Sequence, residues 1–170
     1  MGKRSNKSKR KLQNREREGN PSSSRNSLIH PTRTNPKGYQ YFFHPKHHVP
    51  RKGDHACWQP SISRDLEFSI FEIAVRLDLG DEEGNLYNVE RDERKKLIKL
   101  GYEYEQVAKF WKPRSGTEWH GFPFWPLGTR KSNSRKKQMN RPSDRVFEKL
   151  VQTGRLTMKE SLRLKKGDDA

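Results

Sequence analysis

The sequence predicts a mainly α-helical protein with one short aromatic β segment: a small helical core flanked by disordered basic arms and followed by a C-terminal helical hairpin. Three observations predict it. Apolar residues recur at helical spacing between Ile62 and Leu79. Every Trp and Tyr, and every Phe except Phe147, lies between Tyr39 and Trp125, so the side chains with the most apolar area concentrate in the middle. Of the net charge of +16, residues 1–38 carry +9 and residues 130–170 carry +8, which leaves 39–129 at −1. With 29% hydrophobic against 34% charged residues, part of the chain cannot bury enough apolar surface to offset its ordering entropy. The chain therefore divides into a disordered basic arm (1–38), a compact aromatic-rich core (39–129), a basic linker (130–142) and a helical hairpin (143–170).

From Gly2 to Arg17 the chain is mostly Lys, Arg, Ser and Asn, and Pro21, Pro31 and Pro36 then oppose regular structure. Tyr39 to Phe43 is short, aromatic and bounded by Gly38 and Pro45, which reads as a strand. In the helix that follows, Leu66, Ile70, Ile73, Ala74 and Leu77 form the apolar stripe, Ser63 is the cap and Gly80 the stop. Arg64, Asp65, Glu67, Glu72, Arg76 and Asp78 read as its solvated edges. A second helix is expected from Val89 to Leu100 under an Asn88 cap, and a third from Tyr102 to about Trp111, ended by Pro113. Gly121, Pro123 and Pro126 interrupt the aromatic stretch 116–128, which suits neither a helix nor a central strand and reads as a loop. In the tail, Phe147, Leu150 and Val151 mark one helix, and Thr157 with Glu160 is a capping box for another, ended by Gly167.

A single cysteine, Cys57, excludes an intrachain disulfide and so a disulfide-stapled scaffold. No apolar run reaches the length of a membrane span, so no membrane association is expected. The cytoplasm, or another intracellular compartment rich in nucleic acid, is the expected location; the Arg- and Ser-rich start leaves an organellar address open. Glycine-rich phosphate loops, HExxH, a nucleophile elbow and paired DxD carboxylates are absent from the sequence.

Three constellations bear on chemistry. Residues 91–111 place two expected helices about Gly101, and Gly101-Tyr102-Glu103-Tyr104-Glu105-Gln106-Val107-Ala108 resembles the entry to the first helix of many bacterial helix-turn-helix domains. That resemblance implies a groove-reading helix, but Pro113 and Gly116 stand where the recognition helix should follow. The second constellation is His44, His47, His48, His55 and Cys57, whose nitrogen and sulfur donors form an alternative zinc set, although no CxxC pair accompanies them. The third is the loop carrying Glu118, Trp119, His120, Phe122, Phe124 and Trp125. Its aromatics (Trp119, Phe122, Phe124, Trp125) could stack on bases or hold a protein partner, or fold back to supply core. His120 with Glu118 and the first histidine cluster is an alternative nuclease site.

The reading these observations favour is a non-enzymatic nucleic-acid-binding protein, RNA being preferred to DNA because no recognition helix is convincing. Lys3, Arg4, Lys7, Lys9, Arg10 and Lys11, with Arg130, Lys131, Arg135, Lys136 and Lys137, are expected at phosphates. No cofactor is expected unless the zinc alternative holds.

Overall fold

The computed structural model describes residues 32–49, 56–102, 105–115, 118–124, 142–168 and 170. Five strands form one mixed sheet: β1 (Thr32–Thr34), β2 (Gln40–Phe42), β3 (Leu86–Asn88), β4 (Val107–Trp111) and β5 (Glu118–Phe124). Their spatial order is β1-β2-β5-β4-β3, with β2 and β5 parallel and the other neighbours antiparallel. Three helices accompany them: α1 (Arg64–Arg76), α2 (Asp144–Gln152) and α3 (Met158–Lys166). With 31% of the described residues helical and 23% strand, the fold is α+β, not the mainly α core expected. The first strand, moreover, falls within the segment assigned to the basic arm.

Helix α1 forms under the expected Ser63 cap but ends at Arg76, short of the expected Gly80 stop, with Asp78 taking the positive φ, and Leu66, Ile73 and Leu77 of the expected stripe are only half-buried. The Ser63 side chain accepts from the Leu66 N–H, and Ile70, Phe71, Ala74 and Val75 are buried against the sheet. The other two expected core helices do not form. Residues 89–100 make a hairpin-like turn in which Arg91 bridges Leu97, Lys95 adopts φ 62° and the Asp92 carboxylate takes the Lys96 N–H. The charged run from Asp92 to Lys96 has no apolar face to bury, and its aspartate satisfies the turn instead. Asn88 caps no helix; its side-chain amide donates to the Ile70 carbonyl at 2.9 Å.

Strand β4 overturns the third expected helix and with it the helix-turn-helix reading. Every residue from Glu105 to Phe110 is buried, so both strand faces are covered. Two covered faces erase the alternation that would have announced a strand, and helical spacing among the apolar residues becomes coincidental. The aromatic stretch taken for a loop supplies β5. β2 lies beside β5 only at Glu118 and Trp119, so Pro123 sits where the strand has β4 alone for a neighbour. A missing N–H is tolerated at such an edge. Gly121 lies opposite Phe110, and a Cβ there would run into the Phe110 ring and the Tyr41 hydroxyl.

The C-terminal hairpin forms as the sequence indicates. Thr157 and Glu160 make the capping box, and Gly154 and Gly167 take positive φ. It docks on the core. Val146, Phe147, Leu150, Leu156 and Leu164 join the single buried cluster, and the Arg91 guanidinium grips the Glu160 carboxylate with two bonds of 3.0 and 2.6 Å. Arg155 donates to the Asn88 side chain at 2.9 Å and to the Val89 carbonyl.

The register places one pair of junctions together. Thr32 is level with Phe42 on β2, and β5, running parallel to β2, ends at Phe124 beyond that level. Thr32 and Phe124, from which residues 1–31 and 125–141 continue, therefore lie at the same end of the sheet, about 15 Å apart by ideal strand spacing and rise.

Candidate functional site

At that end of the sheet β2 stops at Phe42, and the chain crosses the top through His44 and a single 3-10 turn, Pro45–His47. On one face this brings His44 and His47 to His120 of β5. The ring centre of His44 lies 5.6 Å from those of both His47 and His120, and His47 and His120 are 6.1 Å apart with nearly parallel planes. Phe122 stacks on His47 at 5.0 Å, and the half-exposed Trp111 stands edge-on to His120 and Phe122. The His47 Nδ1 lies 2.9 Å from the Ala56 carbonyl; since a carbonyl only accepts, Nδ1 carries the proton and Nε2 the lone pair. Burial lowers the pKa of His47 to about 3, against the Ala56 hydrogen bond, which raises it. Burial, then His44 and Lys46, lower that of His120 to about 4. Both imidazoles are therefore neutral at pH 7, with Nε2 atoms that are buried and, among the described residues, lack a hydrogen-bond partner.

The alternative nuclease pair is thus partly assembled. His120 meets the first histidine cluster, while Glu118, two residues earlier on the same face, is exposed at the start of β5. The zinc set does not converge. The Cys57 thiol is buried and directed to the Lys46 and Val49 carbonyls at 3.5 and 3.6 Å, and His48 turns towards α1. His55 lies outside the described residues. Among the described residues no group of three or more His, Cys, Asp or Glu is placed to hold a metal ion.

The other face carries an arrangement that the sequence reading missed. Glu67 is not a solvated edge of α1 but 0% exposed. Its Oε1 accepts from the Tyr41 hydroxyl at 2.5 Å, and its Oε2 lies 3.1 Å from His48 Nε2, a close contact off the line of a hydrogen bond. Burial, and then the charge of Glu67, raise the Tyr41 pKa well above its ordinary value, so that the hydroxyl remains a donor. Arg33 and Arg64 both lie over the Phe43 ring, at 5.5 and 5.8 Å, and Phe43 packs on Tyr41 at 5.2 Å. A signal existed: Glu67 precedes Ile70 and Phe71 by three and four residues and so shares their face of the helix.

No protein-family model, curated protein or solved structure matches this chain.

Of the expected stacking residues, Trp119 and Phe124 are buried and supply core, Phe122 is half-buried in the histidine cluster, and Trp125 lies outside the described residues. The eleven lysines and arginines expected at phosphates, from Lys3 to Lys11 and from Arg130 to Lys137, also lie outside them. Among the described residues the aromatics open to solvent are others: Tyr39 at 42%, Tyr102 at 45% and Trp111 at 42%. Tyr39 and Trp119 line a cleft of about 300 Å³ with Lys37 and Lys112 on its walls. No helix among the described residues is long and apolar enough to cross a membrane.

Proposed function

We propose that this protein binds nucleic acid, RNA in preference to duplex DNA, as a component of a ribonucleoprotein assembly in a nucleic-acid-rich compartment of the cell. One observation carries the reading. Residues 1–31 carry +7 and residues 125–141 carry +6, against +3 for the rest of the chain, and they continue from Thr32 and Phe124, which lie at the same end of the sheet. A phosphate backbone reaching that end would meet both, and it would displace condensed counterions from two sides. The core sets position; the arms supply affinity. Trp111, half-exposed beside the histidine cluster and opposite His120, offers a ring face for an unpaired base. RNA is preferred because unpaired bases are available to such a platform.

The test compares the full chain with a full-length variant in which the eleven phosphate-facing candidates, Lys3 to Lys11 and Arg130 to Lys137, are changed to Gln. Fluorescence anisotropy with labelled single-stranded RNA and duplex DNA at low salt should show tighter binding of RNA. Binding should weaken at least 100-fold in the variant, as removal of many phosphate contacts requires. Unchanged affinity in the variant would remove the arms from the account.

A further inference from the structure

We propose that this protein also cleaves RNA without a metal ion, with His48 as the base and the buried Glu67–Tyr41 pair behind it; the proposal rests on the RNA-binding reading above. A carboxylate removed completely from water needs partners, and Glu67 has two, the Tyr41 hydroxyl at 2.5 Å and His48 Nε2 at 3.1 Å. The side chain of His48 is 20% exposed and its Nε2 is buried, so the exposure it has lies away from Glu67. A fixed carboxylate behind an imidazole sets the orientation of the ring and stabilises the imidazolium formed when the outer nitrogen takes a proton.

The surroundings suit a phosphodiester. Arg33 and Arg64 lie over Phe43, beside Tyr41, and both are exposed, with planar donors able to grip two phosphate oxygens. The partner of Arg33, Asp65, has a side chain 79% exposed, so that ion pair can give way to a phosphate. Helix α1 begins at Arg64, and the positive end of its dipole faces the same region. Negative charge developing on the phosphorus oxygens would meet two guanidiniums and a helix N-terminus.

The step is a transesterification. The outer nitrogen of His48 removes the 2′-hydroxyl proton, the 2′ oxygen bonds to phosphorus, and the bond from phosphorus to the 5′ oxygen breaks. The departing 5′ oxygen takes a proton from water. The products are a 2′,3′-cyclic phosphate and a 5′-hydroxyl end, and His48 returns its proton to solvent. DNA has no 2′-hydroxyl and is not a substrate.

The experiment incubates the full chain with end-labelled single-stranded RNA in EDTA and identifies the product ends, in parallel with His48→Ala and Glu67→Gln variants purified identically. The expected result is cyclic-phosphate ends from RNA and none from DNA. Turnover should fall about 100-fold in His48→Ala with RNA affinity retained, with partial rescue by added imidazole. Glu67→Gln, which keeps the shape of the side chain, should lower turnover about tenfold at unchanged KM, the mark of a positioning residue. Intact RNA under conditions where the protein binds it overturns the cleavage proposal and leaves the binding reading standing, whereas failure to bind RNA overturns the reading beneath it. Cleavage undiminished in His48→Ala, with its fold checked by circular dichroism, also overturns the proposal.

Discussion

Lowering the pH from 7 to 5 should destabilise the fold through His47 and His120, before the carboxylates titrate. Both folded pKa values lie below the ordinary 6.5, at about 3 and about 4, because burial disfavours the charged ring. A depressed histidine contributes its full stability above the unfolded pKa and loses it as pH falls towards the folded value, since the unfolded chain binds the proton first. Between pH 7 and 5 that amounts to about 2 kcal/mol for a fully shielded ring. His120 is only half-buried, so solvent screening reduces its share, and the pair together should lose roughly 3 kcal/mol. Urea melts followed by circular dichroism at pH 7, 6 and 5 measure this directly. A His120→Phe variant should show a visibly shallower dependence. Stability that stays flat from pH 7 to 5, or a slope unchanged in His120→Phe, would refute the argument that these two rings are held neutral by burial.

Three further substitutions test the packing. Gly121→Ala places a methyl group against Phe110 and Tyr41 in the middle of the sheet, and thermal melts should show a loss of about 2–3 kcal/mol. Arg155→Ala strips the hairpin of its bonds to Asn88, Val89 and Glu90; it should cost about 2 kcal/mol and raise amide exchange selectively in residues 143–166. Phe147→Ala empties a side chain that is 1% exposed, and a loss of about 3–5 kcal/mol in denaturant melts is expected. Phe147 behaving as a surface residue would mean that the hairpin is not part of the core.

What the sequence revealed and what it hid have physical reasons. The start of helix α1 and the whole hairpin were legible because they are written locally, in Ser63, in the Thr157 and Glu160 box and in Gly154 and Gly167, which take positive φ. Strands β4 and β5 were not. Buried on both faces, Val107 to Phe110 offer no alternation, and Gly121 and Pro123 mimic a loop in a strand whose edge and tight approach to Phe110 are set by residues distant in sequence. The histidine cluster was recognised as a cluster, and His120 was associated with it, because rare titratable side chains stand out along a chain. Its actual composition was hidden. His48 departs to the opposite face, and its partner Glu67 is a charged residue on the buried stripe of a helix, where a charge is ordinarily assigned to solvent. Lys109 is a similar case, a residue 5% exposed with its ammonium over the rings of Tyr87 and Phe124.

The salt dependence of RNA affinity tests the central claim most directly. Binding of the full chain to single-stranded RNA, measured from about 50 to 300 mM salt, should give a straight line of log affinity against log salt, with a steep slope set by the number of phosphates neutralised. Changing Lys3, Arg4, Lys7, Lys9, Arg10 and Lys11 alone to Gln should flatten that slope by up to about four units, at roughly 0.7 for each phosphate no longer neutralised. An affinity that barely responds to salt, or a slope unchanged by neutralising the first arm, would contradict the account that the two basic segments grip the backbone together.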